Sequence, residues 1–123
     1  MKDSARSRAG SVLERQRLAF WFWLAISASF VLAALFHAHA AVTHSLPVWR
    51  HVLFAAINLS VAWGCWRRPR WFIGVFGLLL LQQLYSHSLD LAGAWPERTD
   101  WNSVVVLLGM PLVALALWRA RTT

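Results

Sequence analysis

Residues 18–41, LAFWFWLAISASFVLAALFHAHAA, contain no Asp, Glu, Lys or Arg and no polar stripe at helical spacing. A helix at the surface of a soluble protein keeps a polar face, so this stretch is buried on all sides or solvated by lipid. It is longer than the ~20 residues a helix needs to cross ~30 Å of hydrocarbon. Three more apolar blocks follow, at 48–66, 71–92 and 101–118, built mainly from Leu, Ala, Phe and Val. A chain of 123 residues that is 59% hydrophobic and 14% charged has too little polar material to enclose four such blocks in a soluble shell. In lipid each segment must satisfy its own backbone groups, which makes the blocks helices. The expected fold is therefore an all-α integral membrane protein, a four-transmembrane-helix antiparallel bundle.

The breaks between blocks read as turns. Ser45 is a candidate cap for the second helix, and Pro47 suits its first turn. Arg67-Arg68-Pro69-Arg70 is a short charged connection. Gly93 reads as a helix stop and Asp100 as the N-cap of the fourth helix. Pro111, after Gly109, is expected to kink that helix. Gly74 and Gly77 read as points of close helix approach. The resulting organisation is a basic N-terminal segment (1–17), a four-helix transmembrane domain (18–119) and a short tail (120–123), with no internal repeat.

Charge placement gives an orientation. Lys2, Arg6, Arg8, Arg15 and Arg17 precede the first block, Arg67, Arg68 and Arg70 join the second to the third, and Arg119 and Arg121 follow the fourth. Only Arg50 and Arg98 fall on the other side. The positive-inside rule then puts both termini in the cytoplasm, N-in/C-in. All nine tryptophans lie at or beside block ends, where an indole ring prefers the interface. Compactness and the absence of organelle-targeting features point to a bacterial inner membrane. Ala38-His39-Ala40 fits a signal-peptidase pattern, but the apolar run before it exceeds the roughly 7–15 residues of a signal peptide.

A formal charge of +7 and a pI near 11.6 could signal nucleic acid, yet the basic residues sit between and outside the apolar blocks, so no nucleic-acid partner is expected. A lone cysteine, Cys65, excludes an intramolecular disulfide and a CxxC site. No nucleotide-binding glycine loop, HExxH or Ser/Cys catalytic constellation is present, which favours a non-enzymatic role.

The histidines carry the chemistry. His37 and His39 fall in the last turns of the first helix, His44 in the following turn, His51 one turn into the second helix, and His87 one turn before the end of the third. With helices alternating in direction, all five come to the outer face, and His37, His51 and His87 share a depth on three helices. His37 and His39 diverge by about 200° around a helix, so His37 is favoured over His39 as a ligand. His44 reads as exposed. On the third helix Gln83, His87 and Asp90 share a face; Tyr85 is close by, and Asp100, Asn102 and Ser103 open the fourth helix at a similar level. His37, His51, His87 and Asp90 are the candidate metal set, with zinc or copper as suitable ions. Gln83, Tyr85, Asp100 and Asn102 would form the surrounding pocket, and Gln83 or Asp90 could fix a histidine tautomer. His51 and His87 are the candidate axial pair for a haem. The same polar groups could also serve only as interfacial and packing contacts without any cofactor.

In size and four-span layout the chain is similar to small multidrug-resistance transporters. Those carry an acidic residue within the first helix, where this chain has none, since Glu14 precedes the apolar run. Di-haem membrane cytochromes require histidines near both faces, whereas here they crowd one. The expectation is a small polytopic inner-membrane protein whose outer-face histidine cluster binds a transition metal or haem, for metal handling or electron transfer. The alternatives are a scaffold or accessory subunit of a larger membrane complex, and a homo-oligomeric channel or transporter.

Overall fold

The computed structural model describes the backbone of residues 2–43 and 47–122 and the side chains of residues 12–43 and 47–121. His44 and Ser45, the turn histidine and the candidate cap, lie outside the described residues. The described chain is all-helical: α1 (Lys2–Thr43), α2 (Val48–Arg67), α3 (Phe72–Ala94) and α4 (Trp101–Thr122). It divides into two compact units, Met1–Arg67 and Arg68–Thr123. In the first α1 packs on α2, and in the second α3 packs on α4.

Three helices contain stretches long and apolar enough to cross a membrane: Val12–Thr43, Phe72–Ala94 and Trp101–Arg121. Large side chains such as Leu32, Leu35 and Phe36 on α1, Leu78 and Leu81 on α3, and Leu108 and Leu112 on α4 stay exposed. That much uncovered apolar surface points to lipid as the surroundings. α2 falls outside this group, because Arg50, His51, Asn58, Ser60 and three tryptophans dilute its hydropathy.

The first unit is an antiparallel hairpin, since contacts join opposite ends of its helices. Phe20 meets Trp66 edge to face at 5.6 Å between ring centroids, and His37 meets His51 near the connecting turn. α1 begins at Lys2, so the helix takes in the basic segment that the sequence reading separates from the span. Residues 2–17 include four Arg and two Ala, with single Lys, Leu, Glu and Gln residues, all of which favour helix. Its 42 residues extend about 63 Å, roughly twice the hydrocarbon thickness. The buried positions on α1 and α2 are mostly small (Ala34, Ala40, Ala62, Gly64, Cys65), which permits close backbone approach. Trp23 is buried at 5% exposure, unlike the other eight tryptophans. It is a packing residue rather than part of an interfacial belt.

The second unit is also antiparallel. His87, late in α3, bonds Ser103, early in α4, while Ile73 and Leu117 line one cavity at the opposite end. Arg68, which follows the last residue of α2, has φ 49°. That is the left-handed post-helix position usually given to glycine, and a side chain there costs roughly 1–2 kcal/mol. α3 continues one residue past Gly93, and the Trp95 N–H caps it by donating to the Leu91 carbonyl. Asp100 caps α4 as expected: its carbonyl accepts from Val104 N–H and its Oδ1 from Ser103 N–H at 3.4 Å. α4 continues through Pro111, which cannot donate to the Leu107 carbonyl. Among the described residues, a Cβ at Gly74 or Gly77 would meet nothing within 4 Å.

Candidate functional site

Each unit carries one histidine site beside its interhelical turn. In the first, His37 lies in the second-last turn of α1 and His51 in the first turn of α2. The hairpin brings their Nδ1 atoms to 3.5 Å. His51 is buried and His37 half-buried. Phe54, one turn along from His51, stacks on the His37 ring at 5.2 Å and 29°, and Phe36 meets it edge-on at 5.6 Å. Aromatic contacts hold the His37 ring in place. No Asp or Glu occurs on α2, and those of α1, Asp3 and Glu14, lie more than twenty residues before His37.

A separation of 3.5 Å is long for a hydrogen bond between two ring nitrogens. It does suit two nitrogens bound to one ion, because two bonds of 2.0–2.1 Å opened to about 110–120° span about 3.4–3.5 Å. His39, two residues from His37, is exposed.

In the second unit His87 is tied into a hydrogen-bonded chain. Its Nδ1 lies 2.8 Å from Ser103 Oγ, and Ser103 Oγ donates to Asp100 Oδ2 at 2.6 Å. A hydroxyl has one proton, and here the carboxylate takes it, so His87 Nδ1–H is the donor to Ser103. This fixes the tautomer and leaves the Nε2 lone pair of neutral His87 available. Asp90 Oδ2 lies 3.9 Å from the same Nδ1, on a side chain mostly in the open. Hydrogen bonding from the Ser103 hydroxyl is the largest cause holding the Asp100 carboxyl below its ordinary value, with smaller help from the Ser103 and Asn102 backbone N–H groups and from His87. Ser103 is completely buried. The order Asp–Ser–His makes the serine a bridge and not a nucleophile, since its proton is already committed to a carboxylate.

The remaining candidates are dispersed. Gln83 donates to Gln82 Oε1 at 2.8 Å along the surface of α3, and Ser86 lies on the same strip. Tyr85 is 71% exposed, and the Asn102 side chain is exposed while its N–H serves Asp100. Of the expected trio, His37 and His51 belong to one unit and His87 to the other. Among the described residues no group of three or more His, Cys, Asp or Glu side chains could hold a metal ion. Two contributors emerge only in three dimensions. Ser103, placed by the sequence at the level of His87, takes its bridging role only in the folded chain. Phe54 packs on His37, and nothing in its apolar surroundings marks it out.

Fold and sites together describe an all-helical protein with three helices long and apolar enough to cross a membrane, and a histidine contact in each of two helical units. Comparison with known proteins adds no family: no family model, curated protein or solved structure matches the chain.

Proposed function

We propose that this is a small four-span membrane protein of a bacterial inner membrane, with both termini cytoplasmic, that binds a transition-metal ion through His37 and His51. The observation carrying this reading is the pair of Nδ1 atoms 3.5 Å apart in an aromatic setting. Neutral imidazoles suit zinc or copper, and two protein ligands leave positions for water or an incoming group. α2 serves as the fourth span: its 20 residues cover about 30 Å, and its polar groups are tolerated where helices pack. With four crossings, the α1–α2 and α3–α4 turns emerge on the outer side, opposite ten of the twelve Lys and Arg residues. The metal reading draws on one unit, whereas a haem held by His51 and His87 would take its ligands from two.

The test is elemental analysis and zinc or copper titration of the purified chain in detergent. One equivalent of metal per chain, lost alike in His37→Ala and His51→Ala, is the expected result. Metal-free protein that takes up none on titration would sink the reading. A C-terminal reporter fusion active on the periplasmic side would overturn the orientation.

A further inference from the structure

A second kind of site lies at the other end of the α3–α4 unit, where α3 begins and α4 ends. A cavity of about 280 Å³ opens there, with Arg68, Arg70 and Arg121 around it and Ile73 and Leu117 among its apolar lining. Within this unit the only Asp and Glu residues are Asp90, Glu97 and Asp100, all at the far end. Along the helix axes that is about 25 Å or more from the cavity, beyond the reach of a side-chain ion pair. The unit therefore concentrates guanidinium groups around a hollow and supplies no acidic side chain to balance Arg70 and Arg121. Arg68 is present despite a left-handed backbone that favours glycine.

We propose that this cavity binds the phosphate group of an anionic phospholipid. Guanidinium groups recognise phosphate oxygens through paired N–H donors. The apolar wall formed by Ile73 and Leu117 gives the glycerol and first methylenes of a lipid a surface that a free anion would not use. The site sits at helix ends, the level at which the phosphates of a bilayer lie. The inference requires the chain to be in a membrane, but not that His37 and His51 hold a metal, so the two can fail separately.

The test uses the full chain in nanodiscs of equimolar phosphatidylglycerol and phosphatidylcholine, with lipid retained after release read by native mass spectrometry. The wild type should keep a phosphatidylglycerol adduct. The double variant Arg70→Gln/Arg121→Gln should retain it about 30-fold less, since each interfacial arginine contributes roughly fivefold. Arg70→Lys/Arg121→Lys should restore part of the binding and show that the helices still form. Arg6→Gln/Arg8→Gln, which removes the same charge from the N-terminal segment, should leave the adduct intact. Equal loss in that control would reduce the effect to bulk charge and overturn the proposal. So would inorganic phosphate displacing the lipid at equal concentration, which would make the cavity a site for a free anion.

Discussion

The α1–α2 and α3–α4 units each place a histidine late in their first helix and give it a partner early in their second, but the partners differ. His37 meets another imidazole, with Phe54 stacked on it. His87 meets a hydroxyl whose proton is already given to Asp100, with Asp90 nearby. On the proposed reading, the imidazole pair in apolar surroundings supplies nitrogen ligands to a cation. An imidazole whose Nδ1–H donates to a serine already committed to a carboxylate has its tautomer fixed by that chain. The residue type and its place in the hairpin are alike, so the residue presented by the opposite helix sets the chemistry.

Breaking that contrast at the metal pair gives the largest expected effect. His37→Ala and His51→Ala should each weaken zinc or copper binding by more than the 10–100-fold that loss of an outer-shell partner costs. His87→Ala should leave it within about twofold, because both proposed ligands belong to the α1–α2 unit. Isothermal titration of the three variants checks this. A loss in His87→Ala as large as in His51→Ala would show that the two sites act as one.

The second effect is on stability. Ser103→Ala removes a buried hydroxyl that joins α3 to α4, leaving His87 Nδ1 short of a partner at a cost of about 1–3 kcal/mol. Ser29→Ala, where an exposed hydroxyl bonds only the Ala25 carbonyl of its own helix, should be within about 0.5 kcal/mol of wild type. Unfolding by a graded detergent–SDS titration would separate them.

How far these sites can be read in the sequence follows from the kind of signal each uses. The helices are legible because lipid permits little else for long uncharged runs, and the Asp100 cap is legible because capping is local. α2 is the weakest of the four because its polar residues obscure hydropathy, which averages over the helix and takes no account of which residues face a neighbour. His37 could be separated from His39 by helical angle alone. The His37–His51 contact follows from the α1–α2 hairpin, and the His87–Ser103 contact from the α3–α4 hairpin. Gln83, on the same face of α3 as His87, turns instead to Gln82. Trp23 looked like its eight neighbours at block ends, yet rotation about α1 buries it. Ser103 was visible beside Asp100, but its role depends on a residue sixteen positions away.

A smaller effect should follow pH. Asp100 has its carboxyl pKa lowered in the folded state, chiefly by the Ser103 hydroxyl. A depressed carboxyl contributes stability that is present above its unfolded value near 3.8 and is lost as pH falls through the lower folded value. The α3–α4 unit should therefore show no change from this group between neutral pH and about pH 5, then weaken in more acidic solution. Ser103→Ala should flatten that acid limb, because the main cause of the depression is gone. An acid limb of the same depth in the variant would assign it to other carboxyls.

The smallest effect compares two buried serines, one from each unit. Ser103 is fully engaged, whereas Ser27 on α1 is 8% exposed and its Oγ has no hydrogen-bond partner among the described residues. A hydroxyl buried without a partner loses its solvation and gains nothing, so Ser27→Ala should be neutral or stabilising by up to about 1 kcal/mol. Its sign is opposite to that of Ser103→Ala although the chemical change is identical, so the same SDS titration on both variants tests whether burial or bonding governs these positions. If Ser27→Ala destabilised the chain as much as Ser103→Ala, its hydroxyl would have to bond a group outside the described residues. Because Ser27 also lines an apolar hollow with Leu24, Val31 and Trp66, a second copy of the chain or a lipid would then be the place to look.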